Sequence, residues 1–127
     1  MSNIKIKKDK ELDCSIAEFT NANFELISGS ILESFKIAFK TFGSLNKNQS
    51  NAILICHALT GDQYVSGHNP ITERDGWWAR MVSHDKPIDT NKFFVICSNV
   101  LGGCSGSTGP KQKKDGEDII YGGSFPS

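Results

Sequence analysis

Long hydrophobic runs are missing from this sequence. No stretch comes near the roughly 20 apolar residues that a membrane helix needs, so a helical span is excluded. An excess of one charge is missing too: Lys+Arg and Asp+Glu each number 14 in 127 residues. Nucleic-acid binding wants a clustered positive face, and the one basic cluster (Lys5, Lys7, Lys8, Lys10) is short and followed by Glu11 and Asp13. It reads as part of a loosely ordered, solvated tail over residues 1–20. Cysteine is sparse and scattered. Cys14, Cys56, Cys97 and Cys104 form no C-x-x-C and fit no zinc spacing. Cys56 and Cys97 lie in apolar runs and read as small buried hydrophobes, whereas Cys104 lies in a Gly-rich loop. Met1, Ser2, Asn3, Ile4 and Lys5 hold no apolar signal region, so the expected compartment is the cytosol.

Several catalytic templates are also absent. The Gly-rich stretch after residue 101 satisfies neither G-x-x-x-x-G-K-[ST] nor G-x-G-x-x-G, which argues against a phosphate loop. No G-x-S-x-G occurs. Ser105 has Gly103 on one side at the two-residue spacing but Ser107 on the other. Gly122-Gly123-Ser124-Phe125-Pro126 matches an elbow for three letters, then places a proline where a backbone N–H is needed. Ser124 is therefore rejected as a nucleophile. His57, His68 and His84 form no H-E-x-x-H, and no metal is expected.

What is present is a pattern of strands and loops. Phe24-Glu25-Leu26-Ile27 reads as a short strand. Residues 34–42 alternate well, with Phe35, Ile37, Phe39 and Thr41 on one side and Lys36, Ala38, Lys40 and Phe42 on the other, and read as a half-buried strand antiparallel to the first. Ala52-Ile53-Leu54-Ile55-Cys56 and Phe93-Phe94-Val95-Ile96-Cys97 are continuous apolar runs, the mark of parallel strands covered on both faces. The segment between them is of crossover length and holds a helical candidate at 76–83, with Trp77, Trp78 and Met81 near helical spacing and the tryptophans packing it on the sheet. In open parallel sheets, sites form beyond the carboxyl ends of strands. Residues 57–61 and 98–110 should therefore lie on the functional rim. Turn hydrogen bonding is the plainest role for Ser105, Ser107 and Thr108. For His57, a hydrogen-bonded structural role outweighs that of general base, because no activated nucleophile is available to it.

These segments in series resemble the homoserine O-acetyltransferase family. The resemblance is carried by Asn51-Ala52-Ile53-Leu54-Ile55-Cys56-His57-Ala58-Leu59-Thr60-Gly61, by Gly76-Trp77-Trp78 and by Ile88-Asp89-Thr90. Ser98-Asn99-Val100-Leu101-Gly102-Gly103-Cys104 and Gly106-Ser107-Thr108-Gly109-Pro110 complete it. It extends over most of residues 24–126 and implies an α/β fold of the α/β-hydrolase type, represented over 21–127 by its N-terminal part: an antiparallel hairpin, then parallel buried strands.

The resemblance further implies acetyl transfer from acetyl-CoA, as co-substrate rather than bound cofactor, to the hydroxyl of L-homoserine. That chemistry is ping-pong through an acyl-serine, in methionine biosynthesis. The family's serine, aspartate and histidine match no position here, so the chain alone is expected to be inactive. By position in His-Ala-Leu-Thr-Gly, Leu59 would supply one backbone N–H to an oxyanion hole, and His57, Ala58, Thr60, Gly61, Gly102, Gly103 and Cys104 would line the site wall. The family forms homodimers. Competing readings are a noncatalytic interaction module or half of a split enzyme, and, less directly, a succinyltransferase or esterase of the same fold. With one sheet face and one sheet edge uncovered, marginal stability is expected.

Overall fold

Alternation of apolar and charged side chains starts at Ile4-Lys5-Ile6-Lys7, and a tight turn makes a hairpin of it. Asp9 accepts the backbone N–H groups of Glu11 and Leu12 on one carboxylate oxygen, each at 3.0 Å, and Asp13 takes a left-handed φ of 44°. The computed structural model describes residues 3–114 and 116–126. Its strands are β1 (Asn3–Asp9), β2 (Cys14–Thr20), β3 (Phe24–Glu25), β4 (Ile31–Leu32), β5 (Phe35–Phe42), β6 (Ala52–Cys56), β7 (His68–Asn69), β8 (Arg74–Asp75), β9 (Val82–Ser83), β10 (Ile88–Asp89) and β11 (Phe94–Ser98). Five of them form the main sheet in the order β1-β2-β5-β11-β6; β6 and β11 are parallel and the other neighbours antiparallel. The expected loosely ordered tail is thus corrected: residues 3–20 are a paired hairpin, and β2 is an inner strand with Cys14 and Ile16 buried.

Residues opposite one another in the register share a sheet face. On one face, Phe42, Val95 and Ile53 line up, as do Lys40, Cys97 and Ile55. Val95 and Cys97 are wholly buried there against Val65 and Val82, with Trp78 and Met81 packed on the same cluster. Burying a valine side chain contributes roughly 1.5–3 kcal/mol, so this cluster anchors the segment between β6 and β11. A second cluster joins Cys14, Ile16 and Ala38 under Leu12. On the other face the rows run Ile4, Phe19, Phe35; Ile6, Ala17, Ile37; and Thr41, Ile96, Leu54. Ile4, Ile6 and Leu54 remain 59%, 63% and 64% exposed.

Other expectations change with this arrangement. The parallel pairing of the two apolar runs holds, but β6 lies at a sheet edge and is covered on one face only. Ala52, Leu54 and Cys56 are exposed, so Cys56 is not the buried hydrophobe its run suggested. The strand at β5 is antiparallel to β2; β3 pairs instead with β4. No helix forms over 76–83. Gly76 packs so tightly that a Cβ would fall 2.4 Å from the Ser66 nitrogen. The N–H groups of Trp77 and Trp78 are taken by Tyr64 O and Val65 O at 3.1 and 2.9 Å. One turn closes on Trp78 O before Val82 enters β9, and of the two tryptophans only Trp78 packs on the buried cluster.

The two edges of the sheet differ. β1 carries Lys5, Lys7 and Lys8, the usual protection against edge-to-edge pairing, whereas β6 carries no charge and no proline. Val95→Ala is expected to lower the unfolding free energy by about 2 kcal/mol through loss of packing on the covered face. Leu54→Lys, on the open face, should change it by less than about 0.5 kcal/mol. Urea denaturation midpoints compare the two; equal losses would contradict the assignment of faces.

Candidate functional site

Because β6 and β11 are parallel, Cys56 and Ser98 end opposite each other and both chains leave the sheet on the same rim. Residues 57–61 and 99–110 rise side by side from there. The first loop is a tight turn, closed by the Gly61 N–H on Ala58 O at 2.8 Å, with Leu59 and Thr60 at its centre. The side chain of Leu59 is fully exposed. Among the described residues, no hydrogen bond occupies the Leu59 N–H. Residue 61 must be glycine, because a Cβ there would come within 2.7 Å of the His57 Cβ.

The second loop is built around Asn99, 2% exposed. Its N–H donates to Ala38 O at 2.8 Å, extending the β11–β5 ladder by one bond. Its side-chain oxygen accepts the Ser105 N–H at 3.1 Å, and its carbonyl accepts the Ser107 hydroxyl at 2.6 Å. The loop then returns to β5. Ser107 Oγ accepts the Ala38 N–H at 2.9 Å, and Thr108 Oγ1 accepts the Lys36 N–H at 2.8 Å. Two hydroxyls thus replace a strand partner. Ser107 and Thr108 are bonded to backbone as expected, but across the sheet rather than within a turn. Gly103 and Gly109 are required by close approach: a Cβ on the first would lie 2.5 Å from the Asn99 side chain, and on the second 2.3 Å from Gly103 O. Beneath the loop, the fully buried Gln63 donates to Ser105 O at 2.7 Å.

His57 joins the two loops. Its Nε2 accepts the Val100 N–H at 3.2 Å, and its Nδ1 lies 2.7 Å from Ala58 O. With its lone pair so engaged it is a structural histidine, as its sequence position suggested. Ser124 lies in a short 3-10 turn and donates its hydroxyl to Tyr121 O at 2.6 Å. Neither Ser105 nor Ser124 is hydrogen-bonded to a histidine among the described residues. Gly102 belongs to the second loop, its N–H on Thr108 O at 2.8 Å, whereas Cys104 is exposed and no hydrogen bond ties it to residues 57–61. Among the described residues no group of three or more His, Cys, Asp or Glu could hold a metal ion. Asn99 and Gln63 are the residues that sequence reasoning passed over; a polar residue directly after a buried strand was the available signal for the first. Burial pushes the Cys97 thiol up to about 12 and raises that of Cys14, so neither is a ready nucleophile.

No protein-family model matches the chain. Single proteins do. The homoserine O-acetyltransferase of Pelagibacter ubique is 48% identical over 126 residues, which is 99% of this chain and 30% of the relative. That of Acidiphilium cryptum is 55% identical over 100 residues, 78% of this chain and 26% of the relative. By sequence, the chain is similar to part of the homoserine O-acetyltransferases. It spans less than a third of the length of those two curated relatives. The crystal structure of the Bacillus anthracis homoserine O-acetyltransferase superposes on 99% of this chain and 32% of its own, with a TM-score of 0.69 at 29% identity. Esterase E22 superposes at a TM-score of 0.70 and 24% identity, a likeness of fold alone. The sheet is accordingly a partial α/β-hydrolase fold, its N-terminal part, which in this chain is mostly strand.

Two outcomes check the site's construction. Ser107→Ala removes two hydrogen bonds and strands a buried N–H, so a loss of about 2 kcal/mol is expected, while Ser124→Ala should be silent in the same denaturation experiment. In thiol labelling of the folded chain at pH 8, Cys56 and Cys104 should react promptly and Cys14 and Cys97 only on unfolding. Prompt labelling of all four would contradict the burial described above.

Proposed function

We propose that this chain is the N-terminal part of an acetyl-CoA-dependent homoserine O-acetyltransferase, contributing one half of an oxyanion hole and one wall of the site, and inactive by itself. The observation that carries this reading is the unengaged Leu59 N–H, held on a tight turn at the carboxyl end of β6. In acyl transfer, a serine oxygen attacks the thioester carbonyl, negative charge develops on the carbonyl oxygen, and the CoA thiolate departs. The homoserine hydroxyl then attacks the acyl-serine, and the ester O-acetylhomoserine leaves. A preorganised amide is suited to the charge in both steps, because it needs no reorganisation as the charge appears. His57, Ala58, Thr60, Gly61, Gly102, Gly103 and Cys104 would shape the wall around that oxygen. The serine, its histidine and its aspartate would come from sequence outside these residues. Methionine biosynthesis, a cytoplasmic location and a homodimer go with this reading.

The uncharged open edge of β6 supports a second reading, in which the chain is one half of a split enzyme or a docking module. Both readings meet in one experiment. The chain alone, given acetyl-CoA and L-homoserine, should show no acetyl transfer above background. The chain joined to the remaining two-thirds of the Pelagibacter ubique relative should turn over. In that fusion Leu59→Pro, which removes the N–H at a turn position that tolerates proline, should lower kcat by ~10²–10³ with KM little changed. An acetyl adduct on the isolated chain, or an undiminished kcat in the Leu59→Pro fusion, would overturn the reading.

A further inference from the structure

The direction in which the Leu59 N–H points is fixed by an atom on the preceding residue. A trans peptide is planar, so the Ala58 C=O and the Leu59 N–H lie antiparallel in one rigid unit; no cis peptide occurs among the described residues. Ala58 O is held from two sides: the Gly61 N–H reaches it at 2.8 Å and His57 Nδ1 at 2.7 Å. A carbonyl oxygen only accepts, so Nδ1 carries the proton. Val100 N–H only donates, and it reaches Nε2 at 3.2 Å, so Nε2 carries the lone pair. The two contacts select one neutral tautomer of the imidazole and leave neither nitrogen free.

We propose that His57 is a positioning residue, a tautomer-locked brace that grips Ala58 O and Val100 N–H at once and thereby aims the Leu59 N–H at the reacting oxygen. The brace runs back to the sheet. Val100 follows Asn99, whose N–H is bonded to Ala38 O of β5, so the ring is anchored to an inner strand rather than to a mobile loop. Gly61 completes the arrangement, since a Cβ there would collide with the His57 Cβ and open the turn. A general base would have to present a lone pair to a nucleophile's proton, and this ring presents its lone pair to a backbone amide. The inference rests on the oxyanion reading of Leu59, and its test separates the two.

Nitrogen-15 NMR of the isolated chain should show His57 as the Nδ1–H tautomer, with Nε2 unprotonated and hydrogen-bonded. The Val100 amide should be protected from exchange, lose protection in His57→Phe, and recover part of it in His57→Gln, whose side-chain oxygen can accept. An Nε2–H tautomer, or Val100 protection unchanged in His57→Phe, would overturn the proposal whatever the chain's activity. In the fusion enzyme, His57→Phe should lower kcat on the order of ten-fold to 10²-fold with KM little changed, the scale of a misplaced catalytic group, and His57→Gln should recover part of it. A change confined to KM would overturn it as well. An inactive unsubstituted fusion would count against the acetyltransfer reading, and the tautomer and exchange results would then decide the brace alone.

Discussion

Because β6 and β11 run in the same direction in adjacent places, two loops far apart in sequence leave the sheet from neighbouring points. Every feature of the rim follows from that pairing. It lets His57, one residue past β6, meet Val100, two residues past β11. An antiparallel arrangement of the same strands would send the loops to opposite ends of the sheet. The pairing is itself held by the covered face, where Val95, Cys97 and Ile55 share one cluster with Val65 and Val82. The aim of a single amide on the rim thus depends on apolar packing several residues below it.

Rigidity on the rim comes from polar groups whose partners are backbone. Past the last backbone bond from Asn99, Ser107 and Thr108 give β5 on one edge what a strand would give it, and their hydroxyls take its N–H groups. A strand there would run straight on; hydroxyls at the end of a Gly-rich excursion let the chain leave β5, form the loop and come back. Buried backbone groups must be paired, so the loop's shape is dictated where it touches β5 and free where it does not. Cys104 occupies the freer stretch and is exposed.

The parts of the fold legible in the sequence were those set by local pattern. Continuous apolar runs identified β6 and β11 and their parallel pairing, and a period of two identified β5. What escaped was set by partners distant in sequence. The hairpin of β1 and β2 is stabilised by pairing more than by burial of β1, whose Ile4 and Ile6 stay exposed, so its lysines read as a tail. The segment 76–83 has helical spacing, but Tyr64 O and Val65 O take the N–H groups that begin it. Asn99 looked like loop polarity because Ala38 and Ser107 cannot be seen beside it in one dimension. At the site, the resemblance supplied Leu59, while the role of His57 required both ring nitrogens to be located.

The two sheet edges also say in which direction the fold is built to grow. β1 is alternately charged and is blunted by Lys5, Lys7 and Lys8, one of which is paired with Glu18 at 2.6 Å. β6 is apolar on both faces, yet only Ile55 of its side chains is buried. A sequence adapted to an edge would not place Leu54 and Cys56 opposite Ile96 and Ser98 with nothing beyond them. Composition at β6 is that of an interior strand, and composition at β1 that of a finished edge. A further strand laid along β6 would pair its edge backbone groups and approach the rim beside the Leu59 turn. The same position would bring a reactive group on that strand's following turn toward the amide that His57 aims. Completion of the sheet and completion of the site are, on this geometry, one event.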